Sequence, residues 1–298
     1  MKIVSLIPSA TEIVFALGLG DALEGVTFEC DYPDAARSKT VVSGTALPTD
    51  GSLTAREIDE AVSARVAEGE PIYTLDRERI RTIQPDLILA QDLCRVCAVP
   101  SGAASDALAV LGCDAQVLSL DPSTLDDVIE CVTVVGRATG TEDVAVTLTH
   151  ALRARTAVVR GAVAMHHRPR VLALEWSDPP FSGGHWVPDM IEAAGGEPLL
   201  GRSGEHSRRL DWEEVEAARP EIVVFMPCGY GLDEAVEEGR GLLDVPALAR
   251  AERVYATEAN ALFSRPGPRL VDGVEVLAWA IHPRAFPSPP PGTIETLR

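Results

Sequence analysis

Cys94 and Cys97 stand three residues apart in QDLCRVCAVP, directly after the aliphatic run DLILA, in a 298-residue chain with six cysteines. Thiolates at that spacing suit a soft or borderline metal ion, and Cys30 and Cys228 fall in comparable loops after aliphatic runs. Together Cys30, Cys94, Cys97 and Cys228 would hold zinc or an iron-sulfur cluster, with the imidazole of His185 able to replace one sulfur. One CxxC with two distant partners is a weak motif, however, and the plainer reading makes these thiols small, partly buried packing residues. A redox pair fits less well, because no evident helix start follows Cys97 to lower a thiol pKa.

The remaining candidates are polar and aromatic. Glu175 and Trp176 end an aliphatic run in VLALEWSDPP, which places both where a ligand would meet a strand end. Arg265 and Arg269 flank PGP and offer forked hydrogen bonds to amide, carboxylate or phosphate oxygens. Catalysis finds no comparable constellation. FSGGHW lacks the serine elbow G-x-S-x-G, and GYGLDE lacks the third glycine of the dinucleotide fingerprint. Binding is therefore the expected activity, while the alternative of a metal or iron-sulfur protein leaves room for redox or enzymatic work.

These loops need strands to carry them. Short aliphatic stretches (KIVSLI, GVTF, VVSG, DLILA, AQVLSL) alternate with amphipathic helical ones, the pattern of parallel sheets covered by helices. SATE, with Ser9 and Glu12, has capping-box spacing and predicts a helix N-cap at Ser9. TAREIDEAVSARVAEG adds another helix. A phrase also recurs: LDRERIRTIQPDLILA (75 to 90) and LDWEEVEAARPEIVVF (210 to 225) share Leu-Asp-x-Glu, an aliphatic at Ile80 and Val215, and a proline at Pro85 and Pro220 before the strand. TEIVFALG (11 to 18) and PDMIEAAG (188 to 195) form a weaker echo in the same order. The fold class that follows is α/β: two doubly wound lobes joined by one long helical connector, with a ligand cleft between them. The expected boundaries are 1–122, a connecting helix at 123–168 interrupted around ATGTED, and 169–298, ending in PSPPPGTIETLR as a loose proline-rich tail.

Composition limits the partners. A net charge of −19 opposes attraction to nucleic acid or anionic lipid. No apolar run reaches the ~20 residues needed to span a bilayer. No charged leader with a cleavage site precedes KIVSLIPSATEIV. The sequence as it stands predicts a cytoplasmic protein, periplasmic or extracellular if its start is trimmed.

IVSLIPSATEIVFALG, the DYP of CDYP, IQPDLILA, PPFSGG, IEAAGG and RPGPRLVDGVEVLAW occur in order along nearly the whole chain. In that set the sequence resembles the class III substrate-binding proteins, the vitamin B12 and iron-siderophore binding family of bacterial ABC importers, and is closest to the cobalamin-binding branch. The resemblance implies a cobalamin or related corrinoid, or a similar large chelate, held between two lobes, and an importer permease as partner. It sets Tyr32 beside the corrinoid and makes Glu78 and Glu213 the transporter-docking glutamates. The branch has a tryptophan where this chain has Gln91, so stacking on the ring would fall to Trp176, Phe181 or Trp186, and His185 is a candidate axial ligand to cobalt.

Overall fold

The computed structural model describes residues 1–48, 52–92, 102–103 and 114–298. By internal contacts the chain divides into two compact units, Met1–Pro122 with Cys131–Thr147, and Ser123–Glu130 with Leu148–Arg298.

In the N-terminal unit the aliphatic runs become strands β1 (Ile3–Ser5), β2 (Leu23–Val26), β3 (Thr40–Val41), β4 (Ser43–Thr45), β5 (Tyr73–Leu75), β6 (Leu87–Ala90) and β7 (Gln116–Ser119). Five of them form a parallel sheet in the order β3-β2-β1-β6-β7, while β4 and β5 pair antiparallel. Every residue of β1 and β6 is buried, as expected of parallel strands covered on both faces.

The helix after β1 spans Pro8–Ala16, with Ile7 as N-cap and no side-chain cap. The expected capping box on Ser9 and Glu12 is therefore not formed; both residues lie inside the helix and are buried. Pro8 takes the first helical position because its fixed φ suits a helix start and its missing N–H would be unpaired there in any case. A real capping box opens helix Ala55–Glu68: Thr54 N donates to Glu57 Oε2 at 2.8 Å and Glu57 N to Thr54 Oγ1 at 3.4 Å.

The C-terminal unit contains β8 (Arg170–Ser177), β9 (Pro180–Ser182), β10 (Glu197–Pro198), β11 (Ile222–Phe225), β12 (Arg253–Thr257) and β13 (Ile294–Thr296). The sheet order is β10-β8-β11-β12-β13, with β9 antiparallel on β8 and β13 antiparallel on β12. Leu172, Leu174, Val223, Phe225, Val254 and Ala256 pack on one side of it against Leu210, Val215, Ala235 and Leu248. The expected loose tail is instead an edge strand. Leu297 joins this core and the Arg298 guanidinium donates to the carbonyls of Leu243 and Leu248, so burial and backbone pairing outweigh the flexibility of the proline run.

The repeated phrase is a repeated structure. Helices Arg77–Ile83 and Trp212–Ala218 follow Asp76 and Asp211 as N-caps, and both end in a left-handed residue, Gln84 at φ +51° and Arg219 at φ +50°. A proline then leads into β6 or β11, and Ile80 and Val215 fill the same core position in their units. Segment 123–168 folds as two helices, Leu125–Thr139 and Glu142–Val163, broken where Gly140 takes φ +70°.

Each sheet reverses its order at one place. From β1 the chain lays β2 and β3 on one side and β6 and β7 on the other; from β8 it lays β10 on one side and β11 and β12 on the other. Ligands of doubly wound sheets sit beyond the carboxyl ends of the strands at such reversals, here β1/β6 and β8/β11.

Candidate functional site

The β8/β11 reversal gathers side chains from three loops. Beyond β11, the turn Met226–Tyr230 is tied to β8 by Met226 N to Leu174 O at 2.8 Å and Cys228 N to Glu175 O at 3.2 Å. This brings Tyr230 edge-on to Trp176, with ring centroids 5.5 Å apart and planes at 72°. Both rings are half-buried. Helix Leu232–Gly241 then supplies Glu238, which accepts from Ser177 Oγ and pairs with the Tyr230 hydroxyl. Burial, and then the Glu238 charge, push the Tyr230 phenol well above its ordinary value, so it remains a neutral donor. On β9, Phe181 pairs with Trp176 across the ladder and carries the Arg209 guanidinium 5.8 Å above its ring.

A second cluster surrounds Glu175. Its carboxylate accepts from Gly184 N at 3.1 Å and from Ser207 Oγ. Burial raises its pKa against the lowering effect of these two hydrogen bonds. Next to Gly184, His185 adopts φ +49°; its N–H donates to Glu205 O at 2.6 Å and its carbonyl accepts from Gly204 N at 3.0 Å. The His185 Nε2 lies 3.0 Å from Nδ1 of His206, with the rings edge to face. Burial, and then the neighbouring His206, pull His185 down to about 4, leaving it neutral at physiological pH.

The structure separates the other sequence candidates. Trp186 is buried at 7% exposure and its Nε1 donates to Phe263 O at 2.7 Å, so it anchors the core and offers no ring face to a ligand. Arg265 and Arg269 are half-buried in the turn that opens helix Leu270–Ile281. In the N-terminal unit the Tyr32 ring is exposed, and Gln91, in the place of the branch tryptophan, is buried with Nε2 donating to Leu120 O at 3.1 Å. Glu78 and Glu213 both lie exposed in the first turn of the two equivalent helices.

Of the four sulfurs, Cys94 and Cys97 lie outside the described residues. Cys30 is buried with Sγ 3.0 Å from Thr11 Oγ1 and 3.1 Å from Thr27 Oγ1, a packing environment, while Cys228 is exposed. Among the described residues no three of His, Cys, Asp and Glu converge as a metal site.

Sequence reasoning missed Tyr230, Glu238, His206 and Ser207. GYG after the β11 run was a usable local signal for Tyr230, whereas nothing near His206 points to His185, 21 residues away.

Residues 3–261 match the periplasmic binding protein family. Among curated proteins the chain is 26% identical over 281 residues to a vitamin B12-binding protein of Vibrio cholerae, covering 92% of this chain and 86% of that protein. It is also 26% identical over 291 residues to a cobalamin-binding protein of Halobacterium salinarum, covering 94% and 69%. A solved periplasmic heme binding protein from Pseudomonas aeruginosa superposes with a TM-score of 0.72 at 21% identity, over 99% of this chain and 97% of that one, a likeness of fold. No described helix is long and apolar enough to cross a membrane. With two doubly wound sheets and a match over most of its length, the chain belongs to the periplasmic binding protein family.

Proposed function

We propose that this protein is the substrate-binding component of an ABC-type importer and that its ligand is a corrinoid. The observation that carries the reading is the Trp176–Tyr230 pair at the β8/β11 reversal, an aromatic surface placed where the fold presents its ligand. The relatives named for vitamin B12 and cobalamin give the ligand class. Local charge favours a corrinoid over a porphyrin. The Glu238 carboxyl group accepts a hydrogen bond, as the amide side chains of a corrin ring would donate one, and its charge would oppose the propionates of heme. Phe181 and Tyr32 are further proposed contacts, Arg265 and Arg269 would hold amide or phosphate oxygens, and Glu78 and Glu213 would meet the permease. An importer role puts the protein outside the cytoplasm, the second of the two locations considered from the sequence.

Calorimetric titration with cyanocobalamin, cobinamide and hemin tests the reading. Saturable micromolar or tighter binding of the corrinoids is expected, with Trp176→Ala weakening it about three- to tenfold, the range of one aromatic contact. No heat and an unchanged visible spectrum with either corrinoid would reject it.

A further inference from the structure

We infer that His206, and not His185, is the side chain that ligates the metal of a bound chelate, with His185 serving as the acceptor that orients it. The inference rests on the corrinoid reading above and adds a residue role to the same site.

The two rings differ in exposure. His185 is half-buried and its Nε2 is already engaged by Nδ1 of His206, whereas His206 is exposed. An imidazole that binds a metal through Nε2 keeps its proton on Nδ1, and that N–H requires an acceptor to fix the ring. His185 Nε2, 3.0 Å away, is in that place. Ligation through His185 Nε2 would break the same bond.

The backbone around His206 is fastened on both sides. Gly204 N and Glu205 O bond the main chain of His185 before it, and Ser207 Oγ bonds Glu175 after it. A Cβ on Gly184 would lie 2.2 Å from Ser207 N and 2.7 Å from the His206 carbonyl carbon, so the two segments run in backbone contact. A solvent-exposed imidazole on a segment held this closely is preorganised for a ligand. The chemistry is a ligand exchange without redox change: the Nε2–metal bond forms as a water leaves the axial position.

Diaquocobinamide, whose axial waters exchange, and dicyanocobinamide, whose axial positions are filled, separate ligation from simple binding. Tryptophan fluorescence reports binding of each, and the visible bands report axial ligation. The wild-type protein is expected to shift the bands of diaquocobinamide and to prefer it over dicyanocobinamide by roughly tenfold or more. His206→Ala should abolish the shift and bring that preference to about one. His185→Ala should reduce the preference while leaving a weakened shift. A purely structural role for His206 would weaken both corrinoids alike, and an unchanged preference would overturn the assignment. So would a band shift that survives His206→Ala but not His185→Ala. Fluorescence quenching without any band shift in the wild-type protein rejects the ligation alone, whereas no quenching by either corrinoid rejects the corrinoid reading together with it.

Discussion

Glu175 sits under opposing influences that a single substitution can separate. Burial disfavours its ionised form, and its two hydrogen bonds only partly offset this, so its folded pKa lies above that of the unfolded chain. A carboxyl raised in this way contributes most to stability below the unfolded value, and that contribution is lost as pH rises through the folded value. Glu175→Gln keeps an oxygen for the Gly184 N–H and removes the charge. Calorimetric melting should therefore show the variant gaining stability over wild type at about pH 8, with the gain shrinking towards about pH 4. A variant that loses more stability at high pH than at low pH would show that the ionised carboxylate is the favoured form. The neighbouring residues teach different lessons. Trp186 and Cys30 are chemically capable side chains that the fold uses as packing, and burial alone distinguishes them from Trp176 and Cys228. Burial on a loop depends on what lies over it, which the flanking residues do not state.

The glycine turn after β9 shows how an element fixes the site. Gly184 lets segment 202–208 pass at backbone distance; a Cβ there has no room, because the nearest atoms are main chain of His206 and Ser207 and cannot rotate away. Gly184→Ala is expected to lower the unfolding free energy by about 1–3 kcal/mol, the range for forcing an extra methyl into packed structure. It should also displace His206 from His185. Urea unfolding measures the first effect, and the imidazole resonances in NMR spectra measure the second; an unchanged midpoint would mean the two segments do not touch in solution. Other elements were legible beforehand. The helix, proline and strand of 75–90 and 210–225 were readable because the repeated Leu-Asp-x-Glu, the proline and the aliphatic period are local signals, whereas the left-handed residues Gln84 and Arg219 were not. The start at Pro8 and the edge strand Ile294–Thr296 were not, since in one a proline at the first helical position prevailed over a capping-box pattern and the other turned on pairing with the distant β12.

At the scale of the whole chain, 45 acidic against 26 basic residues make self-repulsion a term in stability. Raising salt from about 0.01 M to about 0.15 M shortens the screening length from about 30 Å to about 8 Å, and the melting midpoint should rise with it. A falling midpoint would mean that the screened ion pairs, among them Arg155 with Asp272 and Glu275, outweigh the repulsion. The sequence by itself determined the α/β class, the repeated helix-strand unit and the strand-end loops, because periodicity and local signals are properties of neighbouring residues. Only the tertiary structure decided which loop residues meet. Trp176 with Tyr230, Glu238 with Ser177, and His185 with His206 are joined by strand order and by backbone bonds between distant segments, and no local pattern encodes those.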